Sequence, residues 1–169
     1  LFRSIIDLMK LNKNFWKKKR VLITGNTGFK GGWLTVLLNL LGSKIYGYAK
    51  SPVGKYNFYS ETGISKLYEK DFRNDIKDFN LLKKRINTIK PEIIFHLAAQ
   101  SSVIESFKDS QNTVMSNVVG TANILEAVKN QKSVKSVVIV TTDKVYQNYT
   151  IRKYFKEESV LGGDDVYSG

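Results

Sequence analysis

The chain of 169 residues is 42% hydrophobic and 12% aromatic, enough to bury one substantial core, which excludes a disordered tail and sets the expectation of one domain. With no cysteine and a single histidine it excludes disulfides, cysteine nucleophiles and thiolate or multi-histidine metal sites, so no metal is expected and a reducing cytoplasm fits. The formal charge of +12 is unevenly placed: between Asp7 and Glu61 no acidic residue occurs against ten lysines and arginines, six of them from Lys10 to Arg20, a run that reads as a solvated leader before it reads as an anion-binding patch.

Leu1 in place of methionine and a last residue at Gly169 give both ends the look of cuts, with Met9 a candidate start and residues 1–8 an upstream extension. Residues 1–13 are expected to stand outside the fold as a leader. The lysines within residues 1–20 speak against a secretory signal, and the apolar run from Trp33 to Leu41, broken by Thr35 and Asn39, is too short to span a bilayer, so no membrane partner is expected.

Val21 to Thr24 reads as a buried strand that enters a glycine turn, Gly25-Asn26-Thr27-Gly28-Phe29-Lys30-Gly31, and then a helix. A strand, a glycine turn and a helix start in this order make a phosphate cradle. Gly25 allows the sharp turn, Gly28 leaves bare backbone for a pyrophosphate, Gly31 lets the helix pack closely, and the first N–H groups of the helix face the anion. Leu34, Leu37, Leu38 and Leu41 form one helical stripe ended by Gly42, and Lys44 to Ala49 reads as a second strand. Ser51 to Tyr68 carries no clear periodicity, and a short third strand is expected to end near Asp71.

Leu82, Ile86 and Ile89 mark the next helix, stopped by Pro91, before a fourth strand from Glu92 to Ala98. Val114, Val118, Leu125 and Val128 mark a longer helix through Asn130, and Val137 to Thr142 reads as a fifth strand buried on both faces. The segment from Asp143 onward reads as loop. Strands alternating with helices predict an α/β fold, a Rossmann-like doubly wound parallel sheet with helices on both faces, over residues 14–169.

Further landmarks follow: Phe95-His96-Leu97-Ala98-Ala99-Gln100 at the end of the fourth strand, Asn117 in the next helix, Thr141-Thr142-Asp143-Lys144 after the fifth, and Tyr167, 24 residues beyond Asp143. In this order they resemble the extended short-chain dehydrogenase/reductase family. Within it, Gly-Asn-Thr-Gly-Phe-Lys-Gly-Gly-Trp-Leu at 25–34, preceded by Asn14-Phe15-Trp16-Lys17, resembles the CDP-glucose 4,6-dehydratases, as do Thr-Thr-Asp-Lys-Val-Tyr at 141–146 and Leu161-Gly162-Gly163 before Asp165. The resemblance spans Asn14 to Gly169, the N-terminal half of such an enzyme, without its C-terminal nucleotide-sugar domain.

That resemblance implies an NAD-dependent hydro-lyase that oxidises the sugar at C4, eliminates water across C5 and C6 and returns the hydride to C6, in deoxysugar and surface-polysaccharide synthesis. It implies that Tyr167 takes the proton of the C4 hydroxyl, a role in which a phenol needs a neighbouring cation; the family lysine that supplies it falls two residues past Gly169, so these 169 residues alone are expected to be inactive. Thr142 would hold the C4 hydroxyl, Asp143 would protonate the departing C6 hydroxyl, and Lys144 stands where many sugar-nucleotide dehydratases have the glutamate that removes the C5 proton. A carboxyl used as an acid is favoured by burial and opposed by an adjacent lysine, so Asp143 and Lys144 are expected to act as a coupled pair.

For the cofactor the resemblance implies contacts from Gly25, Thr27, Gly28, Phe29, Lys30 and Gly31, from Asp71 and Phe72 at the adenine, and from Leu97, Ala98, Ala99 and Gln100 beside the nicotinamide ribose. His96 reads as a packed core histidine and Asn117 as structural. The substrate implied is a nucleotide sugar, CDP-glucose, the assembly a homodimer when full length, and no nucleic acid is expected, the leader having only Phe15 and Trp16 as aromatics for stacking. The second strand ends in Ala49-Lys50-Ser51, where a typical NAD site has an acidic residue. A nucleotide-sugar epimerase of the same fold is the alternative, disfavoured by Asp143; an inert dinucleotide-binding or nucleic-acid-binding module is the second.

Overall fold

A five-stranded parallel sheet in the order β3-β2-β1-β4-β5 organises the computed structural model, which describes residues 12–147 and 154–168. The candidate start at Met9 and the expected leader lie outside the described residues apart from Asn12 and Lys13, which cap and open the first helix among the described residues. There the Asn12 side chain accepts from the Phe15 N–H and caps α1, Lys13–Trp16. Strand β1 (Arg20–Thr24) leads into α2 (Phe29–Leu40), whose end is closed by Leu41 and by Gly42 at φ +83°. After β2 (Lys44–Ala49) come a short α3 (Phe58–Thr62), a 3-10 turn (Ile64–Leu67) and β3 (Lys70–Arg73).

Asp78 caps α4 (Phe79–Ile89) by accepting from the Leu81 N–H, and Lys90 ends it in the left-handed conformation ahead of Pro91. Strand β4 (Ile93–His96) is followed by α5 (Val103–Lys108), α6 (Ser110–Val114), a π-helical turn (Met115–Val119) and α7 (Gly120–Val128), then by β5 (Ser136–Ile139). Strand β1 pairs with both β2 and β4, with Val21 opposite Ile45 and Ile93.

Alternate residues of the strands serve two cores. Val21, Ile23, Ile45 and Ile93 meet Leu38 of α2 on one face, while Leu22, Tyr48 and Ile94 meet Leu82 and Ile86 of α4 and Ile124 of α7 on the other. The sheet is therefore covered on both faces, the doubly wound arrangement that the alternating elements predict. Because all pairings are parallel, the carboxyl ends of the strands lie along one rim, and the strand order reverses between β1 and β4 on that rim.

Two expectations change. Among the described residues, β5 is the outermost strand, pairing with β4 through Ser136 to Ile139 and with no strand on its other side, and Val138 and Val140 stand 41% and 40% exposed rather than buried on both faces. Of the expected stripe, Val128 packs against the core, but Val114, Val118 and Leu125 stand outward at 41%, 61% and 48% exposure, while the smaller Thr113, Gly120 and Ala127 turn inward with Ile124. A Cβ on Gly120 would stand 2.8 Å from Ile76, so the inward face is the one that lets the helix close down. The unpatterned stretch from Ser51 to Tyr68 contains ordered helical turns, with Asn57 capping α3 through the Ser60 N–H.

Candidate functional site at the carboxyl rim of the sheet

The glycine turn sits at the reversal point. Gly25 is left-handed (φ +70°), and a Cβ there would lie 2.6 Å from the Ala98 nitrogen, so the turn closes against the end of β4. Gly31 is equally constrained, since its Cβ would stand 2.5 Å from the Gly25 oxygen; a helix can begin this close to the strand only without a side chain there. Gly28 caps α2 without a side-chain hydrogen bond, and Gly28, Phe29 and Lys30 are exposed. A twelve-residue helix thus offers uncapped N–H groups at the crevice between β1 and β4. Asn26, fully buried in the same turn, keeps its side-chain oxygen without a partner among the described residues. These features fit a dinucleotide pyrophosphate.

On the β2 side, Asp71 is the hub. Its carboxylate accepts from Asn26 Nδ2 (3.0 Å) and from the Tyr59 hydroxyl (2.6 Å), and pairs with Arg73. Burial and the bond to Asp71 push the Tyr59 phenol up to about 12, so it remains a donor. Gly47 of β2 makes this arrangement possible, for a Cβ there would meet Asn26 Nδ2 at 2.3 Å. Phe72 packs against the core with the Arg85 guanidinium 4.4 Å over its ring. Asn26, Tyr59 and Arg73 escape a reading of the sequence; the asparagine inside the glycine turn and the arginine two residues past Asp71 are the available signals, and Tyr59 has none.

At the end of β4 a directional chain of hydrogen bonds fixes the loop. The Ala98 N–H donates to Thr24 Oγ1 (3.2 Å), which lies 2.6 Å from His96 Nδ1; His96 Nε2 lies 3.2 Å from Thr121 Oγ1, whose hydroxyl donates to the Asn117 carbonyl (2.6 Å). Because the Thr121 proton is committed to that carbonyl, Nε2 must carry the imidazole proton and Nδ1 accepts from Thr24. Asn117, in the π-helical turn, then holds both backbone groups of Gln100, accepting from its N–H (2.8 Å) and donating to its carbonyl (2.9 Å). The Gln100 amide is turned into its own loop, onto the Ser102 carbonyl and Thr113 Oγ1. The rim here therefore presents Ala98 and Ala99 with backbone, and Leu97 packs inward. Asn117, read as structural, thereby fixes the Gln100 backbone.

Burial lowers the His96 pKa from 6.5 to about 4. The unfolded chain binds that proton first, so the stability supplied by neutral His96 is full above pH 6.5 and is lost as pH falls toward 4. Between pH 7 and pH 4.5 the loss is expected to be about 2 kcal/mol. Urea denaturation of wild type and His96→Gln at both pH values reads it as the part of the pH dependence that the variant lacks; equal slopes would refute it.

At the end of β5, Thr142 caps a 3-10 turn, Asp143–Val145, by accepting from the Lys144 N–H (3.2 Å), and its hydroxyl lies 3.4 Å from Asp143 Oδ1. Asp143 and Lys144 form no ion pair with each other among the described residues, because successive side chains on a 3-10 turn leave it about 120° apart. The chain returns beside this turn: Gly162 N–H donates to the Val145 carbonyl (2.8 Å), Gln147 N–H to that of Val160 (3.0 Å), and the Tyr146 and Phe155 rings stack at 5.0 Å. Tyr167 follows in a turn built on Asp165, whose Oδ1 accepts from the Tyr167 and Ser168 N–H groups. The Ser168 hydroxyl, then those backbone bonds and the Lys144 charge, hold the Asp165 carboxyl below its usual range. Thr142, Asp143 and Lys144 thus follow β5 on one turn, while Tyr167 lies on the returning segment, with no hydrogen bond to them among the described residues.

A family model for GDP-mannose 4,6 dehydratase matches residues 22–168, and the chain belongs to that family. It is 40% identical to the CDP-glucose 4,6-dehydratase of Salmonella typhimurium, over 94% of this chain and 44% of that protein. It is also 31% identical to the dTDP-D-glucose 4,6-dehydratase of Dictyostelium discoideum, over 93% and 39%. The chain spans less than half the length of these relatives. Among solved structures, the UDP-glucose 4-epimerase from Brucella ovis in complex with NAD superposes with a TM-score of 0.76 at 23% identity, covering 89% of this chain and 43% of that one, a likeness of fold.

Proposed function

We propose that this chain carries the dinucleotide-binding portion of an NAD-dependent sugar-nucleotide 4,6-dehydratase, a hydro-lyase acting on CDP-glucose. One observation carries the reading: a parallel sheet sets the uncapped glycine turn after β1 and the Thr142-Asp143-Lys144 turn after β5 on the same rim. The 40% identity to a CDP-glucose 4,6-dehydratase supports the nucleotide.

NAD, when bound, supplies hydride acceptance from C4 and return to C6. Gly25, Gly28 and Gly31 would admit its pyrophosphate to backbone, with Phe29 and Lys30 flanking it; Thr27 ties the turn to Lys50, just past β2, and Asp71 and Phe72 would bound the adenine end. The loop of Leu97, Ala98, Ala99 and Gln100 borders the nicotinamide ribose. Thr142 holds the C4 hydroxyl while Tyr167 receives its proton; Lys144 removes the proton at C5; Asp143 delivers a proton to the C6 hydroxyl as the C6–O bond breaks. The outward stripe of Val114, Val118 and Leu125 supports a homodimer of the full-length protein. Deoxysugar supply for surface polysaccharide in the cytoplasm belongs to the same reading; no helix among the described residues is long and apolar enough to cross a membrane.

Incubation of the full-length protein with CDP-glucose and NAD tests it. The expected product is CDP-4-keto-6-deoxyglucose, seen by the alkaline absorbance of the 4-keto sugar and by loss of the C6 hydroxyl in NMR. A C4 epimer with its C6 hydroxyl intact would overturn the dehydratase reading in favour of an epimerase.

A further inference from the structure

The carboxyl end of the second strand is where a Rossmann site chooses between the two nicotinamide dinucleotides. A carboxylate there accepts from the ribose 2′-hydroxyl and repels a 2′-phosphate, whereas a cation attracts the phosphate. Here β2 ends at Ala49, which offers neither, and Lys50 follows with its side chain 66% exposed. The Lys50 carbonyl is tied to the glycine turn by Thr27 Oγ1 (3.2 Å), so the residue is fixed beside the segment that cradles the pyrophosphate.

A second cation stands at the same place. Arg73, opposite Ala49 in the β2–β3 register, donates from Nη1 to the Ala49 carbonyl (3.4 Å) and to the Lys50 carbonyl (3.2 Å). The carboxylates nearby do not cancel this charge. Asp71 is paired with Arg73, and the single carboxylate of Asp75 is shared by Lys50 Nζ (3.4 Å) and Lys77 Nζ (3.6 Å). Three cations therefore face two carboxylates, and Lys50 is the most exposed of the three.

We propose that the adenosine end of this site admits a 2′-phosphate, with Lys50 as the residue that accepts it, so that the protein binds NADP at least comparably to NAD. The proposal rests on the dinucleotide-binding reading above and deepens it. Lys50 acts on the 2′ substituent alone. Its replacement therefore separates the two dinucleotides, where damage to the fold would weaken both.

Isothermal titration of the purified protein with NAD and with NADP, in wild type, Lys50→Ala and Lys50→Glu, tests it. In wild type, NADP is expected within about tenfold of NAD or tighter, with binding that weakens more steeply with salt. Lys50→Glu is expected to weaken NADP by roughly 10- to 100-fold, the worth of one charge-assisted hydrogen bond, and NAD by less than about threefold. A wild-type NADP affinity more than about tenfold below that of NAD overturns the proposal and leaves the dinucleotide-binding reading standing. NADP binding indifferent to both substitutions removes Lys50 from the role and also overturns it. Failure of both dinucleotides to bind overturns the proposal and the reading together.

Discussion

Replacing Gly25 by alanine is expected to cost roughly 4 kcal/mol of folding stability, a large share of what a single domain has. Two terms add. An L-residue in the left-handed region costs about 1–2 kcal/mol, and Gly25 is held there at φ +70°. The second term is steric: the new Cβ would sit 2.6 Å from the Ala98 nitrogen and 2.7 Å from the Leu97 carbonyl, which are backbone atoms anchored by the Leu97 N–H to Thr24 carbonyl bond and by the Ala98 bond to Thr24 Oγ1. Overpacking against such a wall costs about 1–3 kcal/mol. Gly63 supplies the control, since it has nearly the same φ (+64°) with nothing within 4 Å of its would-be Cβ. Gly63→Ala should therefore show the conformational term alone. Urea denaturation of both variants separates the contributions; equal losses would refute the steric term.

The parts of the fold legible in the sequence are those where the pattern has one solution. Lys44 to Ala49 coincides with β2, and Leu82, Ile86 and Ile89 are the buried face of α4, because each offers a single apolar face to bury. The helix before β5 has two. Val114, Val118 and Leu125 fall at helical spacing, and so do Thr113, Gly120, Ile124 and Ala127, one position around; apolar periodicity favours the larger residues, while the sheet takes the face that allows close approach. In β5, the β-branched run Val137 to Val140 has the composition of a central strand, while composition carries no information about which strand would lie on its far side, and among the described residues only β4 pairs with it.

The site divides similarly. The glycine turn is legible because Gly25 and Gly31 are sterically required. The network of Asn26, Asp71, Tyr59 and Arg73 is not, since it joins residues from the turn, α3 and β3 that meet only through the β1–β2–β3 pairing. His96 lies between these cases: its place in an apolar strand announces burial, but its partners Thr24 and Thr121 belong to β1 and α7 and are supplied by the fold.

Asp143→Asn is expected to lower the dehydration rate of the full-length protein by about 10²–10⁴-fold, the range for losing a general acid. The substitution keeps the size of the side chain and an oxygen for the Thr142 contact of 3.4 Å, and position 143 is exposed on its turn, so folding should change little. What it removes is the proton that must reach the C6 hydroxyl as that group departs. A fluorine in place of the C6 hydroxyl leaves as fluoride without needing that proton, so the 6-fluoro analogue of CDP-glucose makes the acid dispensable. On that analogue wild type and Asp143→Asn should differ by less than about tenfold, while Lys144→Met should remain slow on both substrates, because removal of the C5 proton is still required. Equal losses for Asp143→Asn on the two substrates would assign Asp143 to holding the turn and take the acid role from it. Calorimetric titration of the variant with NAD, unchanged within about twofold, would exclude a distant effect through the glycine turn, since that turn and the Asp143 turn stand on different strands of the rim.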